Sequence, residues 1–288
     1  MKHQRTVTIL VICIAIFAAL AASIGILSNE GQGLSEYKTI RGEVIEIYGK
    51  GIYKHMTAEV APQGIAQDYV TLFIGIPLLL IALFKTRKGS FVGRFLLCGT
   101  LGYFLVTYLF YLVMGMYNPL FLVYAFLMGT SFFAFSLTML SFEVEKLPAY
   151  FRENTPVKFT GGFLVFNAFS IAFLWLSIVL PPLLDGTIYP KSLDHYTTLI
   201  VQGMDLGLLL PLAVISGILL LKKKAFGYLL GPVYLVFLSI LMTALTAKVI
   251  GMALLGFNVI PVIFIIPTFN IITIICSILI LRSISYKL

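Results

Sequence analysis

Charge is scarce in this sequence: Asp, Glu, Lys and Arg together make 11% of the residues, against 60% that are hydrophobic. A chain of 288 residues cannot cover a water-facing surface with so few charges, so a soluble globule is excluded. Cysteine is also sparse. Cys13, Cys98 and Cys276 lie in apolar runs without CxxC spacing, which leaves neither a disulfide framework nor a zinc site. Of three histidines, His3 belongs to a basic leader and His55 and His195 to polar stretches. His195 beside Asp194, with His55 and Glu59, would make a metal or acid–base cluster only if separate loops converged.

The motifs of common enzyme classes are missing as well. "GEVIEIYGKG" has six residues between Gly42 and Gly49 and no Ser or Thr after Gly49-Lys50, so it is not a P-loop. "GQGLSE" lacks the last glycine of GxGxxG, and neither HExxH nor GxSxG occurs. No catalytic residue, cofactor or metal ligand is expected.

What the sequence does contain is long uncharged runs. Crossing roughly 30 Å of hydrocarbon takes about 20 helical residues, and such runs predict spans at Thr6–Leu27, Ala61–Phe84, Phe95–Met116, Pro119–Phe142, Phe159–Leu184, Tyr196–Leu221, Ala225–Lys248 and Val259–Leu281. Gly256, Phe257 and Asn258, ahead of Pro261, supply the turn before the last. The runs are continuous rather than alternating, which argues for helices over a barrel. The expected fold is an all-α integral membrane protein of about eight transmembrane helices. Met1–Arg5 followed by an apolar core and Ala19-Leu20-Ala21 also fits a signal peptide. The first span is thus a retained anchor, giving eight helices, or a cleaved signal, giving seven with the N-terminus outside.

The net charge of +8 has a topological explanation. With the N-terminus inside, Lys2, Arg5, Lys85, Arg87, Lys88, Arg94, Lys146, Arg152, Lys158, Lys222, Lys223, Lys224, Arg282 and Lys287 are cytoplasmic. Lys38, Arg41, Lys50, Lys54, Lys191 and Lys248 remain outside. Fourteen against six is the positive-inside bias that orients membrane proteins. The basicity needs no nucleic-acid partner, and both termini would be cytoplasmic in a cell membrane.

The chain divides into residues 1–27, a polar segment at 28–60, and a bundle at 61–288. The polar segment is expected outside. Its "RGEVIEIYGKGIYKHMT" flanks Gly49-Lys50-Gly51 with β-branched and aromatic residues, a hairpin signal. It reads as a surface hairpin over the mouth of the bundle, or as a lid or partner-binding edge.

Two stretches of the bundle are alike: "IAQDYVTLFIGIPLLLIALFKTRKG" from Ile65 and "IVQGMDLGLLLPLAVISGILLLKKK" from Ile200. Asp68 to Lys85 and Asp205 to Lys222 are both seventeen positions. Matching the aspartates leaves Pro77 and Pro211 out of register. Both runs have the same direction, the mark of a parallel repeat, here helices 2–4 and 6–8 joined by helix 5, a 3+1+3 arrangement after an N-terminal helix.

Intramembrane charges are costly and are functional candidates by default. Sixteen helical residues rise about 24 Å, which puts Asp68 and Asp205 just below the outer edge of the hydrocarbon, with Gln67 and Gln202 nearby. A helix-start marker is the bland alternative, better suited to Asp68, which follows Pro62 closely, than to Asp205. Lys248, at the end of the seventh span, reads as a snorkelling lysine or as the partner of these acids. Tyr103, Thr107 and Tyr111 line one face of helix 3, and Ser239, Thr243 and Thr246 one face of helix 7. Such stripes, like Gly227 and Gly231 or Gly161 and Gly162 with Ser170, ordinarily serve helix packing. Asn167 and Asn270 carry amides that need partners.

"YGKGIYKHMTAEVAPQGIAQDYVTLFIGIPLLL", "TRKGSFVGRFLLCGTLGYFLVTYLFY" and "YNPLFLVYAFLM" together resemble an uncharacterised family of bacterial multi-pass integral membrane proteins. The resemblance implies a membrane location and no activity or site residue. The 3+1+3 order is also similar to the topology of SWEET-type sugar transporters and seven-helix rhodopsins, a likeness of fold that does not imply function. Two expectations follow. One is a transporter or channel for a small solute, with Asp68, Asp205 and Lys248 at its outer mouth. The other is a sensor, receptor or assembly factor that uses the 28–60 segment to meet an extracellular protein ligand.

Overall fold

The computed structural model describes residues 3–285, so Lys2 and Lys287 of the basic set lie outside the described residues. Eight helices are long and apolar enough to cross a membrane: α1 (Gln4–Leu27), α2 (Val60–Arg87), α3 (Phe91–Val113), α4 (Phe121–Met139), α5 (Val157–Asp185), α6 (Ile200–Leu221), α7 (Ala225–Leu254) and α8 (Val262–Arg282). Together they form an all-α bundle. α1 is an integral wall of it, with Val7, Val11, Ile14 and Ala18 fully buried.

Two boundaries differ from expectation in a way that matters. α7 continues six residues past Lys248 to Leu254, so Lys248 lies about 9 Å inside the helix end rather than on it. α2 begins at Val60 and α6 at Ile200, because Tyr196–Leu199 is not helical. Asp68 is therefore about 12 Å along its helix and Asp205 about 7 Å, which reverses the depths expected from the sequence.

One end of the bundle is basic. There Phe91, Phe95, Phe142, Tyr150 and Phe151 form an aromatic cluster, and Arg152 N–H donates to Ser283 O at 2.9 Å, tying the α4–α5 connection to the end of α8. The opposite end carries a small antiparallel sheet of β1 (Ser35–Lys38) and β2 (Val44–Ile47), paired Ser35 to Ile47 and Lys38 to Val44. Its turn is at Thr39–Glu43, where Gly42 takes a φ of 88°. Gly49-Lys50-Gly51 makes a different return: it enters a tight turn at Gly51–Tyr53, after which Thr57 bridges back to Ile47. Gly49 is required there because a side chain would collide with Gly33 O.

The internal repeat is visible in the backbone, in a register other than that of the aspartates. Both α2 and α6 contain a π-helical turn, Thr71–Gly75 and Asp205–Leu209. In the first, Ile76 N–H reaches back five residues to Thr71 O; in the second, Leu210 N–H reaches Asp205 O. Pro77 and Pro211 follow at the same point. Proline lacks an N–H and its ring crowds the carbonyl four residues back, and the wider π turn accommodates both defects.

A shift of 134 positions (205 less 71) carries Thr71 to Asp205, Pro77 to Pro211, and Phe91, the first residue of α3, to Ala225, the first of α7. The turn between the paired helices also repeats. Ser90 N–H donates to Lys85 O, and Lys224 N–H to Leu219 O, each at 3.0 Å. Gly93 and Gly227 occupy the same close contact, where a Cβ would meet residues 85–86 and 219–220 respectively. The prolines are therefore in register and the aspartates are not: Asp68 corresponds to Gln202, and Thr71 to Asp205. α1 packs beside α2 and α5 beside α6, so each triplet has a preceding helix and the bundle divides into two four-helix halves.

Candidate functional site

Below the sheet, α2 presents three polar side chains of one face, Gln67, Asp68 and Thr71, to α3. Asp68 is 2% exposed. Its Oδ2 accepts from Tyr53 Oη at 2.5 Å and its Oδ1 from Tyr111 Oη at 2.9 Å, and Tyr111 is also 3.1 Å from Gly64 O. The adjacent Gln67 Nε2 donates to Tyr103 Oη at 2.8 Å and to Thr107 Oγ1 at 3.3 Å, while one turn along α2 Thr71 Oγ1 shares a 2.8 Å bond with Tyr103 Oη. The expected stripe of Tyr103, Thr107 and Tyr111 thus serves the α2 polar residues directly.

Gly25 of α1 closes the other side of Asp68. A Cβ there would lie 1.8 Å from Asp68 Oδ2 and 3.2 Å from Tyr53 Oη, so glycine is what lets α1 approach the carboxylate. Tyr53 comes from the tight turn outside the helices. Burial first, and the nearby Asp68 charge second, raise its pKa well above the ordinary phenol value, so it remains a hydrogen-bond donor.

In the second half, Asp205 is half-buried at the start of the π turn. Its Oδ2 accepts from Trp175 Nε1 of α5 at 2.7 Å, and the turn's last carbonyl, Leu209 O, accepts from Tyr234 Oη of α7 at 2.8 Å. Lys248 of α7 is half-buried and interacts electrostatically with both Asp68 and Asp205 without ion-pair contact to either.

The remaining sequence candidates are elsewhere or unengaged. Ser239 Oγ meets Ser277 Oγ at 2.7 Å and Thr243 Oγ1 donates to Asn270 Oδ1 at 3.2 Å, so the α7 stripe faces α8. Gln202 is half-buried and makes no side-chain hydrogen bond among the described residues. Asn167, 2% exposed, has no partner for Oδ1 among them. A cleft of about 70 Å³ opens beside Tyr111, Tyr117 and Tyr124, room for roughly two waters.

Tyr53 and Trp175 were missing from the sequence expectation. Tyr53 sits in a segment with no helical period, and Trp175 in an apolar run. The only signal for Trp175 was its being the sole tryptophan.

A cap seals this end. Arg41 donates from Nη1 to Asp194 O at 3.0 Å and from Nη2 to Tyr196 O at 3.1 Å, joining the sheet of the first half to the α5–α6 connection of the second. His195 Nε2 is 3.0 Å from His55 O. This histidine meets a backbone carbonyl rather than a metal-binding set, and no group able to hold a metal ion occurs among the described residues. Burial, then the charge of Asp194, raises Glu59 above its ordinary carboxylate value; burial raises Asp194, against the pull of His195.

No family model, curated protein or solved structure matches the chain.

Proposed function

We propose that this membrane protein binds a small polar solute between α2, α6 and α7 and carries it across a cell membrane, with the basic end cytoplasmic. The observation that carries this reading is the pair of interrupted helices in the two halves: α2 and α6 each contain a π turn, with Asp68 one turn before the first and Asp205 opening the second. Ionisable groups within membrane helices are costly and mark functional sites by default, and Lys248 takes no direct ion pair among the described residues. Interrupted helices flanking a polar site, in repeated halves, are a recurrent architecture of carriers. The π turns of α2 and α6 lie beside the two acids.

The test is uptake into proteoliposomes across a panel of small solutes, comparing wild type with Asp205→Asn. Loss of one wild-type uptake signal in the variant is expected. An unchanged response across the panel would instead favour a sensor or assembly role for the cap, a reading supported by Arg41 joining the two halves.

A further inference from the structure

A cleft of about 440 Å³ opens at the basic end, between the start of α1 and the end of α2, lined by Gln4, Arg5, Thr8, Ile9 and Arg87. That is room for roughly fifteen waters. Each helix contributes one guanidinium group to it, and no lining residue is acidic. Both arginines are exposed, and neither has an ion pair or a side-chain hydrogen bond among the described residues. Other basic groups of these two helices and their turn are engaged within the protein. Arg94 donates to Ser141 O at 3.2 Å and lies over the rings of Phe91 and Phe142, and the Lys88 ammonium lies 4.4 Å from the centre of the Phe84 ring.

Each arginine also heads an outward-facing apolar stripe. On α1, Ile9, Ile12 and Ile16 follow Arg5 at i+4, i+7 and i+11; on α2, Phe84 and Leu80 precede Arg87 at i−3 and i−7, and all five side chains are exposed. From Arg5 to Ile16 the helix rises about 16 Å, the hydrocarbon depth of one leaflet in a core of roughly 30 Å. We infer that the cleft holds an anionic phospholipid of the leaflet at the basic end, its phosphate between Arg5 and Arg87 and its acyl chains along the two stripes. The guanidinium fork matches phosphate oxygens in pairs, and basic pockets between transmembrane helices suit acidic headgroups. A free phosphate would use the arginines alone, whereas a lipid also covers the apolar stripes. Two cations without an acid select a headgroup of net negative charge, since the ammonium of a choline headgroup would bring a third cation into the cleft. The Gln4 side chain makes no hydrogen bond among the described residues, and it suits the hydroxyls of a glycerol headgroup.

The test is lipid retention. The full chain is reconstituted in nanodiscs of equal phosphatidylglycerol and phosphatidylcholine, released into nonionic detergent, and weighed by native mass spectrometry with the lipid it keeps. Wild type is expected to retain phosphatidylglycerol in preference to phosphatidylcholine. Arg5→Gln together with Arg87→Gln should weaken that retention about 30-fold, the weight of two basic side chains at an anionic headgroup. Lys222→Gln together with Lys224→Gln removes the same charge from the exposed α6–α7 turn at the same end, and should leave retention nearly unchanged. Equal retention of the two lipids by wild type overturns the inference without reliance on how any variant folds. Equal loss in both double variants overturns it too, because the attraction would then belong to the whole basic end rather than to the cleft. Phosphatidylglycerol should stay bound in excess inorganic phosphate; its displacement would overturn the lipid in favour of a soluble anion.

Discussion

Gly25→Ala is a one-carbon change with a calculable outcome. The added Cβ would stand 1.8 Å from Asp68 Oδ2 and 2.8 Å from its Cγ, closer than any non-bonded contact allows, so the carboxylate must move. Moving it breaks the bonds from Tyr53 at 2.5 Å and Tyr111 at 2.9 Å. A hydrogen bond to a charged group is worth about 1.5–3 kcal/mol, which gives about 3–6 kcal/mol for the pair. Helix propensity opposes this, because alanine is favoured over glycine inside a helix by about 1 kcal/mol. The sum remains destabilising by about 2–5 kcal/mol.

The measurement is unfolding of the nanodisc-held protein by denaturant, in a double-mutant cycle with Asp68→Ala. With the carboxylate gone, the same Gly25→Ala change should be close to neutral or mildly stabilising. An equal cost in both backgrounds would mean that α1 is held off by something other than Asp68, and the account of this contact would be wrong.

Three further outcomes are expected. Gly93→Ala and Gly227→Ala should both lower unfolding stability, the second more, since its Cβ would meet Leu219 and Leu220 backbone at 2.3–2.4 Å whereas Gly93 meets Lys85 and Thr86 at 2.7–2.9 Å. Gly129→Ala, with open space around it, should be neutral or slightly stabilising in the same assay. Arg41→Ala removes two bonds to the α5–α6 connection, at about 1 kcal/mol or more for each, and should raise hydrogen exchange at Tyr196 and Thr57 while leaving the α3 core protected. Cap docking should also depend on pH. Glu59 and Asp194 have native values raised above those of free carboxylates, so the folded cap holds more protons. Their contribution is full below the ordinary carboxylate pKa of about 4 and is lost as pH climbs through the raised native values. Exchange protection in the cap, corrected for intrinsic rates, should fall over that climb, and a rise would contradict the assignment.

The membrane-spanning architecture was legible because a 20-residue uncharged run admits few alternatives. Asp68, Gln67, Tyr103, Thr107 and Tyr111 were also legible, since each stands out as polar in an apolar helix and helical spacing puts the last three on one face. The register of the repeat was not. Matching Asp68 with Asp205 follows the rarest letters, but the backbone repeats around its defects, and the prolines with their π turns mark it. Lys248 differs for a related reason: a charge suggests the end of α7, yet Gly251 alone does not stop the helix, which runs on to Leu254 before Gly256 turns the chain at a φ of 87°. Tyr53 required tertiary information, because its partner Asp68 lies fifteen residues on, across a loop.

The π turns divide α2 and α6 each into two rods with a joint between them. The rods on the basic side are clamped to α3 and α7 through Gly93 and Gly227, where backbones nearly touch. The rods on the other side, Val60–Val70 and Ile200–Met204, lead into the cap and carry Asp68 and the approach to Asp205. Bending at the joints would swing these carboxylates relative to Lys248, whose own helix has no π turn, while the basic end of the bundle stays still. Such a bend would reshape one end of the bundle without sliding of whole helices.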